Sequence, residues 1–105
     1  MSSSGYTRCA RAAGSTYAMR ECLGAEQRRF DARLDTAYRA AMARLPGGSA
    51  RDRLRNQERH WLATRWSECR RRYASAQGTL SLISQDACVV REVARRVVWL
   101  ERYER

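Results

Sequence analysis

The 105-residue chain contains no lysine at all. Each of its 21 basic residues is therefore arginine, set against 11 carboxylates for a formal charge of +10. The surface cations are thus planar forks suited to bidentate carboxylate or phosphate partners rather than compact ammonium groups. Histidine is nearly absent too, with His60 alone, and no two cysteines form a CxxC pair, so a usual zinc set cannot be assembled and no metal or cofactor site is expected. No apolar run approaches the roughly 20 residues that span a bilayer. The opening "MSSSGYTR" lacks the apolar core of a signal peptide, so the expectation is a processed mature chain behind an added start methionine. Glycine pairs only at Gly47–Gly48, after the single proline Pro46 and without a flanking strand, which excludes a phosphate-cradling loop.

Cysteine, by contrast, comes as an even set in a short chain: Cys9, Cys22, Cys69 and Cys88. Disulfides are the expected use, which places the protein in an oxidising compartment, periplasmic or secreted. At this length one domain with one core is expected, over residues 1–105.

The strongest break is "LPGGS", where Ser49 can cap a new helix. Before it, Met19, Leu23, Phe30, Leu34, Tyr38, Met42 and Leu45 recur at helical spacing. After it, Leu54, Trp61, Leu62, Arg65, Cys69 and Tyr73 form a second stripe, and Val90, Val93, Val97 and Leu100 a third. These patterns predict an all-α, three-helix fold: an antiparallel hairpin over about 16–45 and 50–74, then a third helix over about 85–103. Residues 1–14 are expected as a tail and the uncharged 75–84 as a loop. The predicted core comprises Leu34, Tyr38, Leu54, Trp61, Val93, Val97 and Leu100.

In a hairpin folded about residues 47–48, facing positions have numbers that sum to about 95. Leu34 then faces Trp61, Tyr38 faces Gln57, and Asp31 faces Arg65 as an opposite-charge pair that fixes register. The same arithmetic brings Cys22 near Cys69 and leaves Cys9 for Cys88. Pairing Cys9 with Cys22 and Cys69 with Cys88 also fits, and sequence alone does not choose.

Two stretches resemble a known family. "TYAMRECLGAEQRRFDARLDTAY" is similar to a cysteine followed by D-x-x-L-N-x-x-Y, met by Cys22, Asp31, Leu34 and Tyr38, with Asp35 in place of asparagine. "LRNQERHWLATRWSEC" is similar to L-x-x-x-Q-x-x-W-x-x-x-R-D-x-x-C, met by Leu54, Trp61, Arg65 and Cys69, with Glu58 and Trp66 as departures. Cys88, Arg96 and Leu100 complete the pattern. Together they resemble the LprI-like lysozyme inhibitors, from Cys9 to Leu100. The resemblance implies a small disulfide-bonded helical protein outside the cytoplasm, with lysozyme inhibition described for some members.

Charge complicates that implication. Animal-type lysozymes are strongly cationic, and an inhibitor of charge +10 is repelled on approach, so an acidic hydrolase or toxin is the better electrostatic match. Catalysis is not expected. His60 falls one residue off the Leu54–Trp61 stripe, so a surface position is expected for it. Trp66 is no framework position, and Leu62, Trp66, Arg70 and Tyr73 form an aromatic–arginine cluster of the kind favoured at protein contacts. The expectation is a non-enzymatic extracytoplasmic protein that binds and inhibits a cell-wall hydrolase or toxin. The alternative is a cationic module for an anionic polymer or nucleic acid, for which "RRRY" at 70–73 and a pI of 10.7 argue.

Overall fold

Serines open the first two helices. Ser3 Oγ accepts the Tyr6 N–H at 3.0 Å ahead of α1 (Ser4–Ala12), and Ser15 Oγ accepts the Ala18 N–H at 3.0 Å ahead of α2 (Thr16–Arg44). Pro46 stops α2, and α3 (Gly48–Arg72) starts two residues later. Gly78, with φ +72° in the left-handed region that favours glycine, precedes α4 (Thr79–Glu101). This is a computed structural model that describes residues 3–75 and 78–104, and it extends over 50 × 30 × 16 Å.

α2 and α4 run parallel. Thr16 meets Thr79 at their first turns, Arg20 pairs with Asp86 at 2.8 Å, and Arg44 reaches the end of α4. α2 makes its most extensive contact with α4. Buried Phe30, Leu34, Ala37 and Ala41 face buried Val89, Val93, Ala94 and Val97, and the alanines let the two backbones come close. Leu45, Leu54 and Leu100 are also buried, while Tyr38 and Trp61 pack at the edge of this core. Five valines in α4 oppose helix propensity, and burial of Val89, Val93 and Val97 offsets that cost.

The arginines also close helix ends. Arg44 Nη2 donates to the carbonyls of Leu100 and Tyr103 at 3.0 Å each, and Arg51 donates to those of Met42 and Leu45 at 3.2 Å each. These bonds add donors to carbonyls at the ends of α2 and α4, where those of Met42 and Leu100 also accept a backbone N–H.

Four points correct the sequence reading. Among the described residues there are four helices rather than three, because residues expected as a tail form α1. Glu26 of α2, only 1% exposed, accepts the Ser3 N–H at 2.9 Å, the Ser3 hydroxyl at 2.8 Å and Arg29 Nε at 2.9 Å, and so anchors the start of α1. The uncharged segment is largely helical from Thr79, with buried Ser81 donating to the Tyr73 carbonyl at 3.3 Å; its residues 76 and 77 lie outside the described residues. The disulfides join Cys9 to Cys22 and Cys69 to Cys88, not Cys22 to Cys69 and Cys9 to Cys88. Each bridge links consecutive helices, α1 folding back along α2 and α4 along α3. Finally, the backbones of α2 and α3 stay farther apart than those of α2 and α4, so Gln57 is exposed and makes no core contact with Tyr38.

Candidate functional site

α3 is a helix with little apolar surface to bury. Only Leu54, Glu58 and Cys69 are fully inside, and between the two ends its inward positions are Glu58, Trp61 and Arg65. A polar seam replaces the usual apolar one. Arg96 Nε of α4 donates to Glu58 Oε1 at 2.8 Å, and Arg65 Nη1 donates to Asp31 Oδ1 of α2 at 3.1 Å. Gln27 adds a 3.3 Å bond to the same aspartate.

The guanidinium groups of this seam stack between indoles. Arg96 lies 3.9 Å from the Trp99 ring centroid and 5.4 Å from that of Trp61, while Arg65 lies 5.5 Å from Trp61 and 5.4 Å from Trp66. All three tryptophans and two arginines thus form one ladder, Trp66–Arg65–Trp61–Arg96–Trp99. Buried Arg65 Nε and Arg96 Nη2 have no hydrogen-bond partner, and the ring faces supply attraction that those nitrogens lack. Lysine has no planar face to stack in this way, which gives the all-arginine composition a structural use here.

Because the seam holds α3 by its inner side, a second stripe of the helix is left outside. Arg55, Arg59, Leu62, Trp66 and Arg70 follow one another at steps of four, three, four and four, over about 22 Å of helix axis. Leu62 is 40% exposed and Trp66 41%. Arg55, Arg59 and Leu62 border an open groove of about 520 Å³ between α3 and α2, whose other wall carries Asp31, Asp35 and Tyr38. Trp66 and Arg70 border a smaller recess of about 170 Å³ beside Cys69 and Asp86.

Charge in the groove is unequally used. Its carboxylates are engaged: Asp31 by Arg65, Asp35 by Arg39 at 2.8 Å, and Glu58 by Arg96. Arg59 and Arg70 have no ion-pair partner among the described residues, and Arg55 has only Asp52, one turn back and exposed. The free charge along the stripe is therefore positive. α3 as a whole carries eight arginines against Asp52, Glu58 and Glu68.

A family model described as lysozyme inhibitor LprI matches residues 8–100. The chain belongs to that family. The matched span takes in both disulfides, the Glu58–Arg96 and Asp31–Arg65 pairs and the whole outer stripe of α3. No curated protein and no solved structure matches the chain. The LprI family is described by inhibition rather than by a catalysed reaction, and no helix here is long and apolar enough to cross a membrane among the described residues.

Within this LprI chain the four residues singled out for partner contact divide. Leu62, Trp66 and Arg70 lie together on the outer stripe. Tyr73 is half-buried against the core, its carbonyl bonded to Ser81 and its hydroxyl accepting from Arg91 at 3.1 Å, so it serves the α3–α4 connection instead. His60 is exposed on α3. Arg55 and Arg59 were missed although their spacing to Leu62 is plain in the sequence; the only signal was that continuity of the stripe. Glu58, a departure from the family pattern, is the buried partner of Arg96.

Proposed function

We propose that this chain acts outside the cytoplasm as a binding protein that inhibits a cell-wall hydrolase of the lysozyme type, through the outer stripe of α3. The observation that carries this reading is the stripe itself: Leu62 and Trp66, each about two-fifths exposed, lie between Arg59 and Arg70, which have no ion-pair partner among the described residues. Tryptophan and arginine dominate binding hot spots, and here they are held on a helix by a stacked ladder, so little ordering is left for the moment of binding. The partner presents carboxylates at the contact, whatever the sign of its total charge. Two disulfides suit the oxidising compartment in which such hydrolases work.

Titration of the protein into a purified peptidoglycan hydrolase, followed by calorimetry and by residual activity, tests the reading. A saturable stoichiometric complex that lowers activity and depends only modestly on salt is expected. Binding to anionic polymer or nucleic acid that falls steeply with log salt, without hydrolase binding, would favour the cationic-module alternative.

A further inference from the structure

Resting on that reading, we infer that Arg55 and Arg59 enter the substrate cleft of the hydrolase and engage its pair of catalytic carboxylates. Glycoside hydrolysis uses two carboxylic side chains flanking the scissile bond, about 5–5.5 Å apart in retaining enzymes and about 6.5–9.5 Å in inverting ones. Residues four apart on a helix have side chains that start about 5–6 Å from each other on one face. Arg55 and Arg59 therefore start from one face at a spacing comparable to such a pair, and their long side chains can adjust to it; one fork can take the ionised carboxylate bidentately while the other favours ionisation of the acid.

The surroundings of the two arginines favour this use. Arg59 has no ion-pair partner among the described residues, and the exposed Asp52 that holds Arg55 at 2.7 Å is a weak competitor, with 66% of its side chain in solvent. The carboxylates nearest to them in the groove, Asp31, Asp35 and Glu58, are already engaged by Arg65, Arg39 and Arg96. Leu62 and Trp66 continue the stripe by one and two turns and supply the apolar contact that the walls of a saccharide cleft can bury.

This assignment also resolves the conflict of charge. Repulsion between a +10 chain and a cationic enzyme acts over the whole surface and is screened within about 8 Å at physiological salt. Inside a substrate cleft the ionised member of the catalytic pair makes the local potential negative, its partner being the protonated acid, and a cationic ridge is complementary to it.

Steady-state kinetics of an animal-type lysozyme on a soluble chito-oligosaccharide, with and without this protein, tests the assignment. Competitive inhibition is expected, with KM raised and kcat unchanged. R59Q should raise the inhibition constant at least tenfold, and R55Q/R59Q further, while R53Q on the outer side of α3 should leave it unchanged. These side chains support no core contact, and circular dichroism of each variant checks the fold. If the wild-type protein neither binds nor inhibits any hydrolase tried, the functional reading fails and this assignment with it. If it binds and inhibits but is non-competitive, or is indifferent to R55Q/R59Q, the functional reading stands and the cleft assignment is overturned.

Discussion

Glu58 on α3 accepts a 2.8 Å hydrogen bond from Arg96 on α4, and the two side chains are only 7% and 13% exposed. An ion pair thus occupies a place where a helical bundle ordinarily has leucine. Buried pairs of this kind add little net stability over well-packed apolar residues, but removal of one partner leaves an uncompensated charge inside. Their use here is positional: together with Arg65–Asp31 they set the rotation of α3, and so decide which of its faces remains outside.

Breaking that pair from one side should be costly. Glu58→Ala is expected to destabilise by about 3–5 kcal/mol, because Arg96 is then buried without a carboxylate. Joint replacement of Glu58 and Arg96 by leucine or methionine should cost much less than the two single changes added. Urea unfolding of the three variants checks this. An additive outcome would show that the two residues are not coupled.

The second pair should be asymmetric. Arg65 is 13% exposed and stacks on two indoles, whereas Asp31 is 36% exposed. Arg65→Ala therefore removes packing as well as charge and is expected to destabilise more than Asp31→Ala, with the double variant less than additive. Equal small effects from both changes would contradict the placement of Arg65 within the ladder.

Much of this arrangement is legible in the amino-acid sequence. The helical stripes that hold Leu34, Leu54, Val93, Val97 and Leu100 mark residues that are all buried, and a hairpin folded at Gly47–Gly48 brings Asp31 to Arg65. What escaped depends on contacts distant in sequence. α1 is only nine residues long and buries none of them; it is held by Glu26, 23 residues beyond Ser3, and by a disulfide. The close packing of α2 on α4 rests on Ala37, Ala41 and Ala94, small residues that a search for large apolar side chains passes over. With α3 displaced from α2, Cys22 pairs with Cys9 of α1 and Cys69 with Cys88 of α4, the second of the two pairings that the spacing allows. The outer stripe was half visible, Trp66 and Leu62 being noticed and Arg55 and Arg59 lost among 21 arginines.

The disulfides make a prediction that mass spectrometry can read directly. Tryptic digestion without reduction should yield peptide 9–11 joined to 21–28, and peptide 66–70 joined to 73–91. Loss of either bridge by paired serine substitution should cost about 3 kcal/mol, since the enclosed loops span 13 and 19 residues. Peptides joined as Cys22–Cys69 would refute the arrangement of α1.

Acid should loosen α1. Burial opposes ionisation of Glu26, but hydrogen bonds from the Ser3 N–H and hydroxyl and from Arg29 outweigh it and hold the carboxyl below its usual range. A carboxylate depressed in the folded state contributes stability above its unfolded value and loses it as the pH falls through the folded one. Stability should therefore fall on acidification through and below the ordinary carboxylate range. Glu26→Gln should flatten that slope and speed hydrogen exchange in α1. An unchanged acid limb in the glutamine variant would show that Glu26 is not the group responsible.

The claim on which everything else depends is that the outer stripe of α3 is the surface that meets a hydrolase. Hydroxyl-radical footprinting of the protein alone and in complex, read residue by residue, tests it most directly. Strong protection of Leu62 and Trp66 in the complex is expected, with exposed Tyr17 and Leu80, which lie off the stripe in the first turns of α2 and α4, unchanged. Protection centred on Tyr17 and Leu80, with Leu62 and Trp66 as reactive as in the free protein, would contradict it.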